Sequence, residues 1–170
     1  MKNIIKLFLV VVILMGGLTV NAQELKFGHI DSRELLMSMP ESDSAQTKIQ
    51  KLGEDYQQQV EEMRVEMNKK YDDYINNQET WTDLIKQTKE ADLQDMQQRV
   101  GQFEQMAQQD LQTQQQEMMR PILEKANNAV KEVAQENGFI YIFDIGSGNP
   151  VFWSDQSIDI LSLVKTKLGN

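Results

Sequence analysis

One histidine, two pairs of adjacent carboxylates and one glycine-rich turn are the groups in this chain best equipped for chemistry. His29 is the only imidazole. A metal centre or a nucleophile–base pair needs partners beside it. A lone imidazole in a strand before Asp31 has none, so a structural role is expected. Glu61-Glu62 and Asp72-Asp73 would make acid–base pairs only if both carboxyls met at one point. Neighbours on a helix face different sides, so these read as solvated charge. Gly146-Ser147-Gly148 reads as a hairpin turn, and no strand–glycine–helix phosphate loop occurs. With a single histidine and no cysteine, no catalytic triad or thiol chemistry emerges. The chain reads as a binding protein without a cofactor, not as an enzyme.

The groups suited to binding are apolar. Methionine is flexible and polarizable, and serves surfaces that meet many partners. Met63, Met67 and Met96 keep the spacing of a seam between two helices. Met106 and Met119 lie slightly off that stripe and are candidate contacts for a bound partner, together with Phe103. Trp81 sits at a helical tip, placed either to touch a partner or to staple the turn by packing on Tyr74 or Ile75. Between Gln94 and Gln116, 11 of 23 residues are glutamine. They read as a solvated face of good helix formers, or as a wettable wall that binds loosely.

These side chains need long helices to carry them. Apolar residues from Ile49 through Tyr56, Val60 and Met67 to Tyr74 recur at steps of three and four, one face of a helix for seven turns. No proline falls between Pro40 and Pro121. The outgoing arm is expected from an N-cap among Ser42, Asp43 and Ser44 to about Gln78. The return arm is expected to start at Thr80 and to run through Leu93, Val100 and Leu111. A kink is expected at Pro121, then a denser apolar face, then a stop at Gly138.

Short β segments bracket the arms. Leu25–Ile30 reads as a strand, followed by a short helix capped at Asp31 or Ser32, with Glu34 placed for a capping box. Phe139–Ile145 reads as a second strand, Gly146–Asn149 as a turn, and Val151-Phe152-Trp153 as the start of a third. A helix over about Ser157–Leu168 closes the chain. The fold class is α+β, a long antiparallel helical hairpin projecting from a small β body. Three strands leave two open edges, and one narrow stripe cannot bury itself, so oligomerisation is expected.

The first 22 residues read as a cleaved signal peptide, with Lys2 and Lys6, an apolar run over Leu7–Val20, and Val20-Asn21-Ala22 before the cut. The apolar run of about 14 residues is short for a bilayer span. Losing the two lysines takes the net charge from −9 to −11. Such acidity argues against a nucleic-acid partner and allows membrane association that is at most peripheral. An exported chain without cysteine has no disulfide framework, so packing must hold it together.

In this order of elements the chain resembles the Skp (OmpH-like) family of periplasmic chaperones. The resemblance rests on His29-Ile30-Asp31-Ser32 after the first strand, the arm pair, Pro121-Ile122-Leu123, and the run Gly138-Phe139-Ile140-Tyr141-Ile142-Phe143-Asp144. It covers residues 23–170 as a single domain, with a body at 23–43 and 121–170, arms at 44–120 and a tip at about 76–82. The resemblance implies a homotrimer whose strands form a shared core, for which Phe27, Ile30, Ile140, Ile142 and Val151 are the candidates. It implies a periplasmic, ATP-independent holdase for unfolded outer-membrane β-barrel proteins. Met106, Met119, Trp81 and Phe103 are then the candidate client contacts. Better-known members are basic and this chain is acidic, so no lipopolysaccharide site is carried over. The alternative function is a structural hairpin adaptor or spacer in an envelope complex.

Overall fold

The computed structural model describes residues 25–169. The expected signal peptide, 1–22, lies outside the described residues. Strand β1 (Phe27–Ile30) leads into helix α1 (Ser32–Met37), and α2 (Pro40–Asn77) and α3 (Asp83–Glu136) form the hairpin. Strands β2 (Tyr141–Asp144) and β3 (Ile158–Asp159) and helix α4 (Leu161–Leu168) follow. At 1.5 Å per residue, α2 is roughly 57 Å long and α3 roughly 81 Å.

The hairpin begins earlier than its polar N-cap candidates suggest. Met39 is the N-cap and Pro40 stands at the first helical position, where a missing N–H costs nothing and the fixed φ suits the helix. The far turn differs from expectation as well. A short 3-10 turn spans Gln78–Thr80, and Thr82, not Thr80, caps α3 by accepting from the Ile85 amide. Helix α3 continues through Pro121 without ending there. It stops in a Schellman turn, as the glycine implies. Gly138 takes φ +71°, the Phe139 amide donates to Ala134 O at 2.9 Å, and the Gly138 amide donates to Gln135 O at 3.3 Å.

Cross-arm pairs show one antiparallel register from root to tip. Lys125 meets Glu41, Tyr56 meets Asp110 at 2.6 Å, Arg64 meets Glu104 at 2.6 Å, and Lys89 meets Asp73 at 3.2 Å. Between these polar rungs Met96 and Val100 are buried, and the Tyr56 and Phe103 rings meet edge to face at 6.0 Å. Helix α3 therefore outlasts α2 at the body end. Its last turns, with Ala126, Ala129 and Val133 buried, join the core of the body with Ile30, Leu35 and Met39. Helix α4 adds Val164, and Ile160 just before it, both fully buried. Such aliphatic side chains are each worth about 1.5–3 kcal/mol when buried.

The sheet corrects the expected hairpin. All three strands are parallel, in the order β2-β1-β3, with Phe27 opposite Tyr141, His29 opposite Phe143, and His29 opposite Asp159 on the other side. Parallel neighbours need long crossovers, and the two arms are the crossover from β1 to β2. Val151-Phe152-Trp153 is not a strand; Val151 is 95% exposed. The third strand is Ile158–Asp159, taken from the front of the expected terminal helix, so α4 has only eight residues. Gly28 lets the sheet close on its cover. A Cβ there would meet Ile142 Cδ1 at 2.7 Å and the Phe139 ring at 3.0 Å.

Candidate functional site

Three surfaces divide the residues singled out by sequence. The first is the outward face of the sheet. Side chains alternate along a strand, so Gly28 and Ile30 turn to the helices while Phe27 and His29 turn out. The same parity puts Ile142 towards the helices and Tyr141 and Phe143 outside. Ile30 is buried in the chain's own core and Ile142 packs against it. The outward face is an aromatic ladder. Phe27 and Tyr141 stack at 6.3 Å, and Tyr141 and Phe143 at 6.2 Å. Tyr141 is 61% exposed and Phe152, on the loop beside the sheet, 79%. Ile140 is also exposed.

His29 lies on this face. Its Nδ1 is 2.9 Å from Ser157 Oγ and its ring lies 5.7 Å from that of Trp153. A cleft of about 620 Å³ runs between these groups, Phe143 and Phe152. The sequence reading chose Ile140 and Ile142, whereas the exposed side chains within β2 are Tyr141 and Phe143. Period two in FIYIFDI, tied to the burial of Ile30 in β1, is the signal that separates the faces.

The second surface is the arm. Met106 is 60% exposed, and Val65, Tyr71, Ile75 and Leu84 are also open. Phe103 is half-buried against Tyr56, so most of its ring serves the seam. Trp81 folds back on Tyr74, with centroids 6.0 Å apart and planes at 62°, and Lys89 Nζ lies 5.2 Å over its ring. Tyr74 also donates to Glu90. Those carboxylates alter the phenols: the bond to Asp110 raises the Tyr56 pKa and the bond to Glu90 raises that of Tyr74, each favouring the neutral phenol.

The third surface is the arm root. A groove of about 630 Å³ opens between α1, the start of α2 and α3. Met119 stands in it beside Met118, Met37, Leu36 and Ile49. Of this lining the sequence reading named only Met119, because the groove joins α3 to α1 and the start of α2, which lie some 70 to 80 positions away in the chain. Among the described residues no group of three or more His, Cys, Asp or Glu side chains is gathered to hold a metal. No helix among them is long and apolar enough to cross a membrane.

The sequence profile of the family described as Outer membrane protein (OmpH-like) matches residues 26–168. Among solved structures, the chain is similar to one from Caulobacter crescentus CB15 described as an OmpH-like outer membrane chaperone. Identity is 13%, the TM-score is 0.75, and the match covers 87% of this chain and 86% of that one. No curated protein matches the sequence.

Proposed function

The chain belongs to the OmpH-like outer membrane protein family, and on that premise we propose that it is a periplasmic holdase chaperone. Its clients are unfolded outer-membrane β-barrel proteins, held soluble without ATP on the way to the outer membrane. The observation that carries this reading is the arm itself. Two very long helices share one thin seam and leave Met106, Tyr71, Ile75 and Leu84 open to solvent. Unfolded β-barrel chains expose apolar side chains and unpaired strand edges. Mobile apolar groups on several arms cover such surface without demanding one geometry, and avidity supplies the affinity.

Several arms require several chains. The exposed ladder of Phe27, Tyr141 and Phe143 is the surface on which three copies assemble into a shared body, since solvated aromatic patches of this kind mark interfaces. The test is light scattering of a urea-unfolded porin diluted into buffer with the mature protein and no nucleotide. Suppression of aggregation near equimolar trimer is expected, and Met106→Gln should weaken it. No suppression at several-fold excess would overturn the holdase reading.

A further inference from the structure

His29 is the chain's only histidine, and imidazole is the side chain whose charge ordinarily changes between pH 5 and 8. It stands half-buried on the outward face of the sheet. The groups around it come from three strands and a loop. On β1 its outward neighbour is Phe27, and on β2 Phe143 stands opposite. Lys26 and Asp144, the nearest charges along those strands, are engaged elsewhere. Lys26 meets the Phe139 ring and Asn137 O, and Asp144 meets Ser32. On β3 Asp159 stands opposite, and its Oδ1 accepts from the Leu161 amide at 2.9 Å. The loop supplies the Trp153 ring and the Ser157 hydroxyl, a neutral partner. Asp155 of that loop is exposed and does not line the cleft.

Charge and area say what covers this face. The cleft beside His29 is lined without any Asp, Glu, Lys or Arg, in a chain of net charge −9. Copies of so acidic a chain repel one another, and an uncharged face is where they can meet. Anionic lipid headgroups would meet the same repulsion from the rest of the chain. The exposed parts of Phe27, Tyr141, Phe143, Phe152 and Trp153 amount to on the order of 500 Å². That alone reaches the upper part of the about 300–600 Å² found in the largest patch of a typical monomer. With Leu25, Ile140 and Val151, also exposed, it approaches the roughly 800 Å² that each partner brings to a stable interface.

We infer that this face is buried between copies of the chain and that His29 makes their assembly sensitive to acid. The inference rests on the assembly assigned above and adds its regulation. Burial disfavours a charged imidazolium. The groups that favour it, Asp159 and the Trp153 ring, are already beside His29 in the separate chain, and the rings of a second copy bring no countercharge. The separate chain therefore binds more protons than the assembled one. Assembly weakens as pH falls through the ordinary imidazole value of about 6.5. The sign is diagnostic, because acid also lowers the net negative charge, and that effect alone would strengthen assembly.

The test is sedimentation velocity of the full mature protein in dilution series at pH 7.5, 6.5 and 5.5, with far-UV dichroism to confirm the fold. The midpoint concentration for dissociation should rise about tenfold or more between pH 7.5 and 5.5, reversibly. His29→Gln keeps an amide for the Ser157 hydroxyl and cannot ionise, so its assembly should not weaken in acid. His29→Lys should be dissociated already at pH 7.5. The single imidazole gives one histidine resonance, which should titrate at higher pH in Tyr141→Asn, expected to be a folded monomer, than in the wild-type oligomer.

A wild-type oligomer that does not weaken in acid would overturn the switch, as would the same weakening in His29→Gln. Tyr141→Asn that stays assembled would place the contact elsewhere. Phosphatidylglycerol vesicles that bind the wild type and not Tyr141→Asn, with its mass unchanged, would assign the face to lipid. Each of these removes the proposal. A chain that is monomeric at every pH removes the assembly itself, and the switch with it. Porin suppression at pH 7.5 should be equal in wild type and His29→Gln. Its absence from both, with the pH response intact, would strike the holdase reading and leave the switch standing.

Discussion

Ser32 and Asp144, 112 positions apart in the chain, are joined twice: the Ser32 hydroxyl donates to Asp144 Oδ2 at 2.7 Å and the Ser32 amide to Oδ1 at 3.1 Å. The Gly146 amide adds a bond to Oδ1 at 2.9 Å, and Arg33 Nη2 donates to Gly146 O at 2.7 Å. Asp31 caps α1 from the same corner, accepting from the Glu34 amide at 3.0 Å. Glu34 does not complete a capping box with Asp31; its carboxylate pairs with Lys165 of α4. The end of β1, the start of α1 and the end of β2 are thus tied at one point, and the whole length of both arms is inserted between them.

That knot should be sensitive to acid. Partial burial pushes the Asp144 carboxyl up, but the Ser32 hydroxyl and amide, the Gly146 amide and the Arg33 charge outweigh it and hold the pKa below its ordinary value. A depressed folded pKa contributes stability that is complete above the unfolded value of about 4 and is lost as pH falls through the folded one. Asp144→Ala should cost about 1.5–3 kcal/mol at pH 7, as expected for charge-assisted bonds. The deficit should shrink below pH of about 4. Urea titrations of both proteins at pH 7 and pH 3 measure it, and equal midpoints at pH 7 would remove the knot from the stability of the body.

The two faces of β2 should respond differently to the same substitution. Tyr141→Asp puts a charge on the outward ladder. It should dissociate the oligomer and leave a folded chain with native far-UV dichroism. Ile142→Asp puts the charge against the chain's own core, beside Gly28, and should destabilise the fold itself by more than about 2 kcal/mol. Sedimentation and thermal melts distinguish the outcomes. A folded monomer from Ile142→Asp with an intact oligomer from Tyr141→Asp would reverse the assignment of faces.

The helical parts were legible because their signals are local. The three-and-four spacing from Ile49 to Tyr74 lies on α2, and Gly138 marks the end of α3 by its positive φ. The sheet was less legible because its pairing is not local. Nothing near Phe139–Ile145 announces that its partner is Phe27–Ile30, in parallel, across the whole hairpin. Val151-Phe152-Trp153 has strand composition but follows Pro150 and makes no ladder, whereas Ile158–Asp159 is two residues long and carries no periodic signal. Among the site residues, Phe27 and Ile30 were grouped as one surface although three positions separate them, which on a strand means opposite faces. The groove at the arm root draws on Leu36, Ser42 and Met119, and only the folded hairpin makes them neighbours.

Alkali should loosen the arms before it unfolds the body. Tyr56 and Tyr74 donate to Asp110 and Glu90, and those bonds raise both phenol pKa values. A raised folded pKa gives stability that is complete below the unfolded value of about 10 and is lost as pH rises through the folded one. Ionised phenols would then face carboxylates across the seam. Hydrogen exchange from pH 9 to 11, corrected for intrinsic rates, should show arm protection falling while the segment over 130–145 holds. Tyr56→Phe keeps the ring on Phe103 but removes the ionisable group, and should flatten the alkaline loss near that rung. An unchanged pH profile in Tyr56→Phe would show that the rung does not control the arm.

The tip should be the first part of the arm to open. Local stability follows local packing, and the turn has no buried residue of its own. What holds it is the edge-to-face contact of Trp81 with Tyr74, worth about 0.5–1.5 kcal/mol beyond the area it buries, and the Lys89 ammonium over the indole. Trp81→Ala removes both. Exchange over residues 71–90 should then accelerate several-fold, while Val133 and Ile142 keep their protection and the oligomer keeps its mass. If the indole is instead a principal client contact, the same substitution should impair porin capture with little change in exchange at the tip. Measuring both on one variant separates stapling from binding, and fast capture loss without faster exchange would refute the staple.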